Sequence, residues 1–292
     1  MADVRTIGSG GVVGATAALR ALWSQREVVR AFAVRSVRIR YRQALFGVAW
    51  AVVQPLALLV PYLWFFRRED GGSGGAAGSS AAATATAATL AALIGWQYLS
   101  QAVGGGAGAL VNEAVLVRKT AFPREAPVVA AVGAAAVELA VGLALFAAVG
   151  PLLGARWGWA TIPGVLLGVG GLAVVALALA LPLAALNAVY RDVRHGLPFA
   201  VLVWLFVSPV FFPMGTGRRR LLLAVCNPAA GPLDTLRRAL AEGRGPTWTL
   251  PVSVATAAVI GLVGYRWFRP GPDAGRRAVI VLPPPAAAGV VA

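Results

Sequence analysis

The chain is 292 residues long, 59% hydrophobic and only 13% charged, with a mean hydropathy of +0.75; that much apolar surface exceeds what one soluble core can bury and places the chain among membrane proteins. Its formal charge of +15, from 26 basic and 11 acidic residues, sits at the borders of apolar runs, which suits anionic lipid headgroups and topology signals rather than nucleic acid. Cys226 is the single cysteine, which excludes an intrachain disulfide and a thiolate metal site, so neither redox chemistry nor a bound metal is expected.

Residues 1–23 read as an N-terminal cytoplasmic segment. Residues 1–20 hold only a short Gly/Ala/Val stretch where a signal peptide needs an uninterrupted apolar core, so targeting falls to the first span. Residues 26–42, REVVRAFAVRSVRIRYR, are too charged to span and too apolar to be disordered. At about 100° per residue, Val28, Val29, Phe32, Ala33 and Ile39 share one arc, beside a basic stripe of Arg35, Arg38 and Arg42, with Arg40 at the arc's edge. This predicts an amphipathic helix lying in the cytoplasmic interface, with Arg35, Arg38, Arg40, Tyr41 and Arg42 as its interfacial residues. The plainer alternative is a basic stop signal.

Six apolar stretches follow, at about 46–66, 86–111, 127–153, 160–187, 196–213 and 249–265. Each is measured against the roughly 20 residues that carry a helix across about 30 Å of hydrocarbon. The Gly/Ser-rich segment from Gly71 reads as a loop ahead of the second span, and Glu138 is the one charge inside the third. Leu221 to Leu233 is apolar but, at 13 residues, too short to cross, which predicts a re-entrant or interfacial hairpin on the outer side before the last span. Residues 269–292 form a cytoplasmic tail. The expected fold is therefore an all-α integral membrane protein with six spans and both termini in the cytoplasm, its transmembrane domain covering 24–268. Of the basic residues, 17 fall in regions assigned to the cytoplasm and nine outside. Six of those nine, Arg218, Arg219, Arg220, Arg237, Arg238 and Arg244, share one outer loop against the positive-inside tendency, which long loops obey less strictly.

The string VRIRYRQALFGVAWAVVQPL, Val37 to Leu56, resembles the opening of permeases that export O-antigen, capsule and teichoic acid polymers through ABC transporters. GWQYLSQAVGGGAGALVNEAVLVRKTAFPRE, Gly95 to Glu125, resembles the family's second span and cytoplasmic loop. DVRHGLPFAVLVWLFVSPVFFP, Asp192 to Pro213, resembles the stretch entering and ending the fifth span, and Asn227-Pro228 falls where the family has an Asn-Pro step. The resemblance covers about residues 25 to 268. Departures are Gly95 where a proline is usual before the tryptophan, the GGSGG-type insert after the first span, and the tail RPGPDAGRRAVIVLPPP.

The resemblance implies a homodimer in the bacterial plasma membrane, paired with two copies of a cytoplasmic ATPase that carries ATP and magnesium, with a lipid-linked glycan passing between the two permeases. The residues are compatible: no Gly-x-x-x-x-Gly-Lys-Ser/Thr loop is present to bind ATP, so the chain itself is read as a transport subunit without a cofactor and not as an enzyme. In the family the loop at Asn112 to Glu125 contributes the ATPase-coupling helix, which assigns that role to Val115, Leu116, Arg118, Lys119, Phe122, Pro123 and Arg124. Apolar residues would fill a groove, charges would set register, and Pro123 would stop the helix; a plain positive-inside loop is the alternative. Glu138 is expected to face protein or water, since an ionised carboxylate in hydrocarbon costs several kcal/mol.

Trp96, Tyr98, Phe211 and Phe212 are candidate path-lining residues, because aromatic rings stack on sugar C–H faces without fixed register; bilayer anchoring or packing is their other use. Pro55, Pro182 and Pro209 are expected to kink or break helices, and Gly104, Gly105, Gly106 and Gly108 to let helices approach closely. His195 stands without ligand-spaced partners. Two competing functions share parts of this pattern. An ABC permease for small lipids or drugs has the same architecture without the RYRQALFGVAW opening. A membrane enzyme of lipid-linked glycan synthesis needs a metal-holding acidic cluster in its loops, which the sequence lacks.

Overall fold

Apolar runs of this length leave the backbone to satisfy its own polar groups, and the helix does so within a single segment. The structure, a computed structural model, describes residue 20 and residues 23–42, 49–66, 76–114 and 125–267. The helices among them are α1 (Arg26–Arg42), α2 (Trp50–Phe66), α3 (Ala76–Asn112), α4 (Ala126–Val149), α5 (Thr161–Val189), α6 (Val193–Val207), α7 (Gly217–Cys226), α8 (Ala230–Glu242) and α9 (Thr249–Trp267). A single tight turn, Pro151–Leu153, follows α4.

The long helix α3 is the axis of the bundle, packed on α4, α5 and α8. Its buried face interleaves small residues, among them Ala87, Ala91, Ala92 and Ala102, which let neighbouring backbones come near, with the large side chains of Leu90, Leu93 and Leu99. A methyl group added at Gly106 would lie 2.6 Å from the Ala180 Cβ of α5, and one at Gly142 of α4 would lie 2.7 Å from Ile94. Two ends can be distinguished. At one, the Trp157 indole N–H donates to the Leu240 carbonyl (2.8 Å) and the Arg156 N–H to Ala241 (3.1 Å). At the other, Asn187 of α5 donates to the Ala107 carbonyl of α3 (2.9 Å), and Arg35 of α1 meets Glu113 just past α3 (3.1 Å).

Several sequence expectations are corrected. The second apolar helix starts at Ala76 rather than near residue 86, because the alanine-rich run after Ser80 propagates helix through residues read as loop. The third ends at Val149, short of 153, where Gly150 and Pro151 halt the ladder and Gly154 turns the chain at φ +77°. The fifth, expected over 196–213, runs from Val193 to Val207 and stops because Ser208, preceding Pro209, is extended. Its 15 residues reach only about 22 Å.

By length and apolarity, α4 and α5 qualify as bilayer-crossing helices, while α2, α6 and α9 offer shorter apolar lengths. At 37 residues α3 has the length, but its alanine, glycine, serine and threonine content holds its apolarity down. Pro55 and Pro182 lie within continuous helices instead of breaking them, whereas Pro209 does end one. Of the glycine quartet, Gly106 makes the close approach; a methyl at Gly104 would meet nothing within 4 Å, and one at Gly108 only Asn112.

The helix expected over 26–42 forms with those bounds. It lies along α4, with Phe32 buried and the Arg35 side chain half-exposed. The Phe32 side thus packs against the bundle, where the sequence predicted a lipid-facing arc. The side chains of Ile39, Arg40, Tyr41 and Arg42 lie outside the described residues.

Candidate functional site at a helical hairpin

The 13-residue apolar stretch Leu221 to Leu233 resolves into the end of α7 and the start of α8, broken at 227–229 by an Asn-Pro step. Asn227 is buried and uses both ends of its amide. Its Oδ1 accepts from the Trp204 indole (3.1 Å) and from the Ala229 N–H (3.1 Å), and its Nδ2 donates to the Ser208 hydroxyl (3.0 Å). The tip of the hairpin is thereby tied to the last turn of α6, and Trp204 stands edge-on to Trp96 of α3 at 5.2 Å. Ser253 of α9 closes the other side, accepting from Gly231 N–H (3.0 Å) and donating to the Ala224 carbonyl (2.9 Å).

Glycines make room for α8. Methyl groups at Gly164 and Gly168 of α5 would come within 2.6 Å of Ala239 and 3.1 Å of Leu236, and one at Gly95 of α3 within 2.8 Å of Leu236. Pro232, near the start of α8, lies against Gly171, ten residues into α5, while Ala239 lies against Gly164 near its start. The helix therefore enters about 15 Å below the N-terminus of α5 and rises towards it. Gly95 is the position where this chain departs from the usual proline, and its missing side chain admits Leu233 and Leu236.

Charges concentrate on the same hairpin. Asp234 of α8 is buried and accepts from Arg220 of α7 at 2.8 Å, with Arg238 at 4.0 Å. The Arg220 guanidinium also lies 5.8 Å from the Trp248 ring centroid. Arg237 is 7% exposed, and its Nη1 has no hydrogen-bond partner.

The expected path-lining residues separate into two groups. Trp96 and Tyr98 are buried within the single chain, each 3% exposed, while Phe211 is part-buried and Phe212 half-exposed. Phe211 stacks on Tyr62 of α2 at 6.0 Å and tilts against Phe206 at 5.8 Å, which links the α6–α7 connection to α2. Glu138 is buried, in keeping with an inward-facing acid. A groove of about 490 Å³ opens between α1, α3 and α4, with Phe32, Arg35, Asn112 and Glu113 on its walls. Among the described residues no group of three or more His, Cys, Asp or Glu side chains could hold a metal.

Residues 27–239 match the ABC-2 type transporter family, a region running from α1 to the last turns of α8. The chain belongs to the ABC-2 type transporter family. The match takes in α1, the central helices and the hairpin, and leaves α9 outside. An O-antigen export system permease protein, RfbA, from Myxococcus xanthus is 25% identical over 248 residues, covering 83% of this chain and 91% of that protein. The groove at Arg35 and Glu113 lies where the chain leaves α3 towards α4. The coupling residues expected there, Val115, Leu116, Arg118, Lys119, Phe122, Pro123 and Arg124, lie outside the described residues. Sequence reasoning missed Ser208, Asp234 and Ser253, since their roles depend on partners 14 to 29 positions away. A lone Asp among arginines, next to the apolar stretch Leu221 to Leu233, is the one local signal the sequence offers.

Proposed function

We propose that this chain is the membrane subunit of an ATP-driven ABC exporter that moves a lipid-linked polysaccharide across the bacterial plasma membrane. The observation that carries the reading is the family membership joined to likeness with an O-antigen export permease over nine-tenths of that protein's length. Two copies form the conduit, each working with a cytoplasmic ATPase that binds ATP and magnesium, and both termini lie in the cytoplasm. The six-crossing topology follows if α2, α3, α4, α5, α6 with its extended continuation, and α9 each cross. On that topology α7 and α8 form a re-entrant hairpin opening to the outside, and α1 and the coupling segment share the cytoplasmic side. The depth to which α8 enters between α3 and α5, and the polar tie at Asn227, support the hairpin.

In this reading the hairpin and the aromatic group Tyr62, Phe206, Phe211 and Phe212 form the outer gate and lining of the path. Aromatic faces hold sugar rings by stacking and let them slide. The test is deletion of the gene, with fractionation of lipid-linked glycan between cytoplasmic and external leaflets. Accumulation on the cytoplasmic side, reversed by the intact gene, is the expected result; an unchanged distribution contradicts the reading.

A further inference from the structure

We propose that the α7–α8 hairpin carries a phosphate-binding site, built from Arg220, Arg237 and Arg238 around Asp234, that takes the phosphate group of a membrane lipid. Arg220 and Arg238 pair with the single Asp234 carboxylate, and the buried Arg237 stands one turn along α8 from it. The nearest other acid, Glu242, is engaged by Arg244 at 3.2 Å. The cluster thus keeps an excess of positive charge in a largely desolvated place: Arg237 and Asp234 are 7% and 5% exposed, and the side chains of Arg220 and Arg238 are 20% and 24% exposed. Unbalanced buried charge is costly. Two nitrogens, Nε of Arg220 and Nη1 of Arg237, are buried without hydrogen-bond partners, so the donors are not exhausted by the protein.

Among anions, phosphate fits best. A guanidinium fork presents paired N–H groups that match phosphate oxygens, and several can converge on one group. The surroundings indicate a lipid as its bearer. Trp248, 53% exposed, sits beneath Arg220, and a tryptophan with an arginine above it is suited to the boundary between acyl chains and headgroups. The apolar side chains of Leu221 and Leu222, next to Arg220, are exposed for contact with acyl chains. Asp234 then acts as an internal competitor that holds the arginines in place while the site is empty. The site also accounts for three of the six arginines that the sequence gathers between Arg218 and Arg244.

The phosphate can belong to a bulk anionic phospholipid or to a polyprenyl carrier. The test uses the purified full chain in nanodiscs of phosphatidylcholine alone, with phosphatidylglycerol, or with a polyprenyl phosphate, and native mass spectrometry to read retained lipid. The wild type retains a net-anionic phosphate lipid in preference to phosphatidylcholine, whose phosphate is balanced by its own choline. Arg237→Gln and Arg220→Gln lower that retention by about tenfold, the loss of one charge-assisted contact. Asp234→Asn raises it, which general damage to the fold does not do. Preference for phosphatidylglycerol assigns the site to bulk lipid, and preference for the polyprenyl phosphate assigns it to the carrier; either supports the proposal. Equal retention of all three lipids by the wild type, or a fall in retention on Asp234→Asn, overturns it. Because retention is read without transport, this result and failure of the export reading are separable.

Discussion

At Asn227 one side-chain amide serves three partners on two helical segments. Replacing it with alanine leaves the Trp204 and Ala229 donors and the Ser208 hydroxyl without partners in a buried place, so Asn227→Ala is expected to destabilise the chain by about 2 to 4 kcal/mol, read by thermal unfolding in detergent. Asn227→Asp keeps the acceptor but loses the donor to Ser208, and the loss should be smaller if the charge is relieved by protonation. Glycines make a second residue-scale test with an internal control. Gly106→Ala forces a methyl to 2.6 Å from Ala180 and should cost about 1 to 3 kcal/mol. Gly104→Ala, two positions away and facing open space, should be neutral or stabilising by up to about 1 kcal/mol. Equal effects of the two would contradict the packing of α3 on α5. Nothing in the glycine run GGG itself separates these positions. Their difference arises from which side of α3 meets α5, information that resides in a segment some 70 residues away.

For the helices, legibility followed apolarity and period. The bounds of α1 were readable because an arc of Val28, Val29, Phe32 and Ala33 beside arginines has the helical period and breaks off where the polarity changes. The end of α6 was misread because Val210, Phe211 and Phe212 continue the apolar run, although Pro209 already forbids helix in the residue before it. The hardest element was α8: AGPLDTLRRALAE has the polarity of a surface helix, yet it is buried from Ala230 to Arg237 because glycines of α3 and α5 make a slot for it. At this scale the pair Arg35–Glu113 joins α1 to the end of α3 with the arginine half-exposed. Arg35→Gln should therefore change stability by under about 1 kcal/mol, while any larger effect on transport would show that the contact matters for coupling. In the segment proposed to couple to the ATPase, Leu116→Ala combined with Phe122→Ala should leave the chain in the membrane but lower co-purification of the ATPase by about tenfold or more, as expected for removal of groove-filling anchors. Unaltered co-purification would remove the segment from the interface.

Across the whole molecule, the two ends of the bundle carry different equipment. One holds the hairpin, its arginines and the exposed tryptophans Trp157, Trp159 and Trp248; the other holds α1, the groove at Glu113 and the connection to α4. The proposed topology puts the first outside. In a Cys226→Ser background, a membrane-impermeant maleimide applied to intact cells should label Trp159→Cys and spare His195→Cys, and the reverse pattern would invert the chain. The central claim is that this ABC-2 family member is a conduit powered by nucleotide hydrolysis on another chain. The most direct measurement is ATP-dependent movement of a lipid-linked glycan across vesicles containing the purified chain, with and without its ATPase. The account predicts movement only when both proteins and hydrolysable ATP are present; movement driven by this chain alone would contradict it.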